Sequence, residues 1–515
     1  MRLAPLLVLI GLTGVCASPP VTTGPLPQGA ARPGLVVFVA IDQLHPDYLS
    51  RFRSQLSGGF DRLLKGGAVF TRGFHDHAIT ETAPGHASMM SGRFPRGTGI
   101  TRNLLGVNGP DYPLLGSGDV GASPFRFKGT TLTDWLTAVD PRTRAFSVSQ
   151  KDRGAILPIG RSRQQVYWYA SNGTFTTSTW YADSLPDWVR QFNARRIPFK
   201  AAATRWELLR PESDYAERDS VPYENFGRRS QFPYQLPADS AAAARVYVVF
   251  PMMDELVAAF ALEGVSRLQL GARGATDILA VSFSATDQIG HRFGPESREI
   301  HDQILRLDRT LGRFIDSLYR LRDSSRIVIA LTADHGVAPI PELHGKLRVS
   351  LSHALDSARA AVRAVGGDTT QVELESGAFF VGDSGRVAGT EAFMRVAKAT
   401  PGVLRVDRYD DLKRANLEKD TIGRRWVHMF SPEMQPTAVA TLAPGHMPDW
   451  PLVATHGSPH DYDAHVPIVF YGPAFKPGRY SETVRVVDMG PTLARVLGVE
   501  PTEPVDGRPL VAALR

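Results

Sequence analysis

Residues 35–42 read LVVFVAID, seven apolar residues rich in valine and closed by an aspartate. The run does not alternate, which fits a strand buried on both faces of a sheet, and such strands belong to parallel sheets covered by helices. Four more runs share its character: AFSVS (145–149) ahead of Lys151, DILAVSFSA (277–285) before Asp287, RIVIALTA (326–333) before Asp334, and VPIVFYG (466–472) after His465. All five are expected as parallel strands. Between them REIHDQILRLDRTLGRFIDSLYRL (298–321) repeats Ile, Leu and Phe at three and four residues, the period of an amphipathic helix. The pattern predicts an α/β sandwich around a mostly parallel sheet.

The chain of 515 residues exceeds what one hydrophobic core usually holds, so one large domain with sizeable insertions, or two domains, is expected. Residues 154–245, aromatic and polar without a long periodic element, read as a cap over the sheet edge. Residues 338–455, with SHALDSARAAVRAV, GAFFVG and EAFMRVAKAT, read as a small α+β insertion.

The N-terminus, MRLAPLLVLIGLTGVCASPP, pairs Arg2 with an apolar run too short to span a bilayer, followed by small residues. It reads as a signal peptide over 1–17, and 18–34 as a flexible leader into a folded part over 35–515. A lipidated Cys16 is the rival reading, but LTGV before it makes a poor lipobox, so cleavage without lipid is expected. Cys16 is the single cysteine, which leaves the mature chain without disulfide, thiol nucleophile or thiolate ligand. A formal charge of +6 is mild at this length and forms no dense basic block, so nucleic acid is not expected as the main partner. A monomer without a transmembrane segment, in the periplasm or outside the cell, is expected.

Polar residues cluster at the ends of the apolar runs, where open α/β sheets bind ligands. Asp42 closes the first. Asp287 and His291, four residues apart, can share one helical face, while Asp334 and His335 sit in LTADHG and His456 in ATHGSP. Each alone suits an ordinary turn or cap. Together, three aspartates and three histidines form two oxygen and nitrogen donor sets that fit a pair of zinc ions about 4 Å apart, with manganese or iron open on ligand type. TETAPGHAS (80–88) offers two threonines before a helix start, where Thr82 suits an N-cap and exposed N–H groups favour an anion.

The blocks AIDQLHPDYL, TAPGHASMMSGRFPRGTGI, SVSQKDRGAI, VSFSATDQIGHRFGP, TADHG and THGSPHDYDAHVPIVFYG, in order from about residue 35 to 480, resemble the alkaline phosphatase superfamily, nearest to secreted single-threonine phosphomonoesterases of the PafA type. The resemblance implies a three-layer α/β sandwich and a phosphate monoester hydrolase working through a phosphothreonine with two zinc ions. It makes Thr82 the nucleophile and leaves Thr80 as loop structure. It assigns Asp287, His291 and His456 to one zinc, and Asp42, Asp334, His335 and the Thr82 oxygen to the other. Asn103, Lys151 and Arg153 match the phosphate contacts. His465 and His460 rival His456, whose His-Gly pair ahead of the last strand is the arrangement of related phosphodiesterases. His75, His77 and His86 are expected as local hydrogen-bonding residues. Formylglycine sulfatases and serine-based phosphoglycerate mutases do not fit. A phosphodiesterase or nucleotide pyrophosphatase with the same two metals is the rival activity, and an inactive binding protein on this fold the rival of another class. Lys151 and Arg153 favour the monoester, which carries one more charge than a diester.

Overall fold

The computed structural model describes residues 32–515, so the expected signal peptide, Cys16 and most of the leader lie outside the described residues. Nine strands form the main sheet: β1 (Leu35–Ile41), β2 (Ala68–Phe74), β3 (Ala145–Ser149), β4 (Gln165–Tyr169), β5 (Phe175–Thr176), β6 (Asp277–Phe283), β7 (Ile327–Thr332), β8 (His465–Tyr471) and β9 (Gly478–Arg485). Their spatial order is β9-β2-β8-β7-β1-β6-β3-β4-β5. Every residue of β1, β6 and β7 is buried, which accounts for the absence of alternation in their sequences. Five helices matter below: α1 (Thr82–Ser91), α2 (Asp152–Ile156), α3 (Met252–Arg267), α4 (Ala285–Phe293) and α5 (Arg298–Leu321). The periodic stretch at 298–321 is one helix over those residues, capped by Ser297, whose hydroxyl accepts from the Ile300 N–H.

The register sets the site. Ala40 pairs with Ser282 and Thr332, so β1, β6 and β7 run parallel and end at one level. Asp42, the start of α4 and Asp334 therefore leave the sheet side by side.

Two expectations need correction. VPIVFYG is not a parallel strand: β8 runs antiparallel to both β7 and β2. The loop before it already lies over the carboxyl ends of the parallel strands, with Asp463 and Tyr462 carbonyls accepting from Gly336 and Val337, so β8 must run back from that end. A fully buried apolar run reads alike in either direction. Part of the stretch 154–245 is sheet rather than cap, since β4 pairs parallel with β3 and β5 antiparallel with β4. Its aromatic composition hid a buried strand, QVYWY, in which only Gln165 is not fully buried.

Residues 338–455 hold an antiparallel sheet of four strands (Glu373–Glu375, Ala378–Phe380, Ala438–Leu442 and Val403–Arg408). Two helices, Ser352–Ala364 and Arg386–Ala399, share an apolar cluster with it that includes Val362, Phe379 and Phe393. Among the described residues no helix is long and apolar enough to cross a membrane.

Candidate metal and phosphate centre

Helix α1 begins at Thr82, but Thr82 does not cap it. The N-cap is Glu81, in extended backbone, and neither side chain makes a cap bond. Asn103 reaches in instead: its Oδ1 accepts from the Ala83 N–H at 2.9 Å, while its own N–H donates to Glu81 Oε2 at 2.7 Å. With the first-turn donor satisfied by Asn103, the Thr82 hydroxyl is left for the pocket, where Lys151 Nζ stands 3.4 Å from it. The amide nitrogen of Asn103 remains a donor. Gly85 lets the helix sit on the strand end, because a Cβ there would collide with the Asp334 carbonyl.

The three aspartates and Lys151 converge. Lys151, at the N-terminus of α2, places Nζ 2.6 Å from both Asp42 Oδ2 and Asp287 Oδ2. All are buried, Asp42 and Asp334 completely. Asp287 Oδ1 lies 3.1 Å from His291 Nε2 and 3.6 Å from His456 Nε2, and the two imidazole nitrogens are 3.2 Å apart. On the other side His335 Nε2 is 3.5 Å from both Asp42 Oδ1 and Asp334 Oδ2. Asp42, Asp334 and His335 thus form one compact donor group, and Asp287, His335 and His456 another that shares His335.

The histidines are oriented from behind. His291, His335 and His456 each hold Nδ1 within 2.9 Å of a backbone carbonyl, of Ala454, Gly336 and Thr80 respectively. A carbonyl accepts only, so the proton belongs on Nδ1 and Nε2 turns its lone pair to the pocket, the tautomer a metal ligand needs. Burial holds the pKa of His335 well below its ordinary value against the pull of Asp334, which keeps the ring neutral. Burial works against the charge on Asp287 too, but a doubly protonated His291 ring and Lys151 hold its carboxyl well below the usual range, and the Nε2 proton of that ring is the one a bound metal would displace. Asp42 goes the other way: burial, then the charges of Asp287 and Asp334, push its pKa well up despite Lys151.

Those pressures and the orphaned atoms describe a cation site. Asp42 Oδ1, Asp334 Oδ2 and His335 Nε2 are buried without a hydrogen-bond partner, and three carboxylates face one ammonium. Each orphan costs about 1–3 kcal/mol. A divalent cation between them satisfies all three and reverses the pressure on Asp42, so the donor set fits a metal centre. The donors are carboxylate and imidazole with no sulfur, which suits zinc and also manganese or iron.

Arg153 stands beside the site. Its Nη1 is 3.4 Å from Asp152 Oδ1 and its Nε is buried without a partner. The rival histidines point elsewhere, His460 Nε2 to the Leu442 carbonyl at 2.8 Å and His465 Nε2 to the Thr71 carbonyl at 3.0 Å. His75 bonds the Ala333 carbonyl and His86 bridges the Thr82 carbonyl and Ser282. His77 departs from expectation: both ring nitrogens are buried without a partner.

Sequence reading missed Gln43. Its backbone has φ of 64°, its N–H donates to Asp334 Oδ1 at 3.1 Å and its Nε2 to Asp287 Oδ1 at 3.0 Å, so one residue ties two strand ends together. Its only sequence signal is its place after Asp42. Asp254 of α3 was missed as well. Its carboxylate accepts from the Ala285 N–H at 3.1 Å and from Gln303 Nε2 at 2.8 Å, capping the helix that carries Asp287 and His291.

Residues 36–382 match the family model of type I phosphodiesterase / nucleotide pyrophosphatase. The chain is 31% identical over 507 residues to alkaline phosphatase PhoV of Synechococcus elongatus, covering 92% of each chain. It is similar to the crystal structure of wild-type alkaline phosphatase PafA, with a TM-score of 0.86 and 26% identity over 95% of this chain and 100% of that one. A PafA variant substituted at one threonine, one asparagine, one lysine and one arginine gives a TM-score of 0.87 at 26% identity, with the same coverage.

Proposed function

We propose that this chain, which belongs to the type I phosphodiesterase / nucleotide pyrophosphatase family within the alkaline phosphatase superfamily, hydrolyses phosphate monoesters with Thr82 as nucleophile. Residues 35–515 act as one catalytic unit, exported by the N-terminal segment and working as a monomer on small phosphorylated substrates. Asp287, His291 and His456 would hold one zinc ion, and Asp42, Asp334 and His335 the other beside the Thr82 oxygen. Bound there, the two ions supply Lewis-acid stabilisation of the attacking and leaving oxygens and lower the pKa of hydroxyl groups.

The chain's own residues do the rest. The Thr82 hydroxyl gives up its proton to solvent and its oxygen attacks phosphorus as the bond to the leaving oxygen breaks; the leaving alkoxide takes a proton from solvent in turn. Water then attacks the phosphothreonine, releasing phosphate and restoring the hydroxyl. Lys151, Arg153 and the Asn103 amide bind the three nonbridging oxygens, where charge gathers in the transition state. The N-terminus of α1 adds a favourable dipole at Thr82. Gln43 positions Asp287 and Asp334, and the carbonyls behind the histidines fix their rings.

The observation that carries this reading is the ammonium of Lys151 within 3.4 Å of Thr82 Oγ1, a buried cation beside the nucleophile. A diester has one charge fewer for it to meet. The four residue types substituted in the PafA variant are those of Thr82, Asn103, Lys151 and Arg153, with the same separation within each pair, which supports the same grouping here. A second reading, diester cleavage, is favoured by the family's own description. Initial rates on phenyl phosphate and methyl phenyl phosphate with added zinc separate them: the monoester should be turned over faster, and a faster diester would replace the first reading by the second.

A further inference from the structure

A cavity of about 200 Å³ opens beside His456, between the strand-end loop at 455–463 and the four-stranded insertion sheet. Trp426, Leu442, Met447 and Trp450 give it an apolar wall. We infer that this cavity receives the leaving group of the substrate and that the group it suits is neutral and aromatic; the inference rests on the phosphatase reading above.

Position comes first. His456 lines the cavity on one side and meets Asp287 and His291 on the other. Two walls are also tied to the two residues that precede Thr82. The Ser458 carbonyl accepts from Thr80 Oγ1 at 3.0 Å, and Ser376 Oγ donates to Glu81 Oε1 at 3.1 Å. An ester whose phosphorus faces Thr82 and whose leaving oxygen faces the His456 side has this cavity as the next space.

Chemistry fixes the class. Polar groups of the wall are largely engaged already: Trp426 Nε1 donates to Thr441 Oγ1 at 2.9 Å and Ser458 Oγ to Asp463 Oδ2 at 2.6 Å, which leaves Asp463 Oδ1 as a buried acceptor without a partner. Among the described residues the lining holds no lysine or arginine but does hold two aspartates, Asp449 and Asp463. Burial, with Lys346 adding to it, lowers the pKa of His446, which leaves that ring neutral. A second anionic group on the alcohol is therefore disfavoured there. Space agrees: a cavity of about 150 Å³ lined by aliphatic and aromatic side chains takes benzene, so this one admits a fused pair of rings, and indole faces offer stacking.

The test compares naphthyl phosphate with phenyl phosphate, whose leaving alcohols are similar in acidity, on the zinc-loaded full chain. We expect kcat/KM for the naphthyl ester to be higher by roughly 10-fold or more. Trp450→Ala, which removes one wall, and Leu442→Trp, which fills the space, should each bring the ratio to about 1. Calorimetric titration with naphthol reads the cavity without turnover, and binding should weaken by roughly 10-fold or more in both variants. A ratio near 1 in the unaltered chain, or one that survives both substitutions, overturns the inference. Failure of the two readings looks different: hydrolysis of both esters at equal rates without naphthol binding removes the subsite alone. Naphthol binding that the variants lose, with neither ester hydrolysed, removes the phosphatase reading and keeps the aromatic site.

Discussion

Lys151→Met keeps the length and apolar bulk of the lysine stem and deletes only the ammonium. In the structure that ammonium is 2.6 Å from two carboxylates and 3.4 Å from Thr82 Oγ1, and it is 7% exposed. A charge pair about 4 Å apart in a site of effective dielectric about 20 is worth about 4 kcal/mol. The carboxylates already share this cation, so about 3 kcal/mol is a fair value for its hold on the dianionic transition state, roughly a 100-fold loss in kcat/KM. A diester brings half the phosphoryl charge, so its loss should be about half as large in free energy, roughly 10-fold. The expected signature is a monoester-to-diester preference lowered by roughly 10-fold, read from kcat/KM for phenyl phosphate and methyl phenyl phosphate. Metal content and circular dichroism of the variant separate this from misfolding, because deleting the ammonium leaves three buried carboxylates without it. Equal losses on both substrates would refute the argument that Lys151 recognises the additional charge.

Three further outcomes are expected. Burial pushes Asp254 up to about 7, so its contribution to stability is fully present below the ordinary carboxylate range and is lost as pH rises through about 7. Asp254→Asn removes that dependence, and since Gln303 Oε1 is unpartnered its amide can turn to accept from the new Nδ2. Urea unfolding should show a steeper loss of stability between pH 4 and 7 in the parent than in the variant, the difference on the order of 4 kcal/mol in all, because Glu299, pushed up to about 7, and Asp463, pushed up to about 6, titrate in both. Gly290→Ala places a Cβ against Gln43 Oε1, which must withdraw and release Asp287; zinc affinity measured with a chromophoric chelator should fall roughly 10-fold, and an unchanged affinity would deny Gln43 its positioning role. Exhaustive chelation should abolish turnover and lower the thermal midpoint, with elemental analysis returning about two zinc ions per chain on reloading; turnover that survives chelation excludes the two-metal centre.

Much of the molecule is legible in the sequence because its sheet is buried on both faces. Runs such as LVVFVAI carry no alternation, so each strand end shows as a switch from apolar to polar, and Asp42, Asp287, Asp334 and His335 sit at those switches. The direction of β8 leaves no such mark, since VPIVFY is apolar either way, and only the placement of the loop before it sets the sense. The carbonyl partners that orient His456, His460 and His465 come from distant parts of the chain, which spacing does not encode. Gln43 and Asp254 act through partners that are 244 and 31 residues away along the chain but adjacent in the fold. Thr82 looks like a cap by residue type, whereas Asn103 supplies the acceptor from 20 positions along the chain.

The central claim is that Thr82 takes the phosphoryl group. Reaction of the zinc-loaded chain with excess phenyl phosphate, acid quench and peptide mass spectrometry tests it directly. We predict a phosphoryl group on Thr82, absent after Thr82→Ala, which should retain the fold and lose turnover. Phosphorylation at another residue, or full turnover by Thr82→Ala, would contradict it.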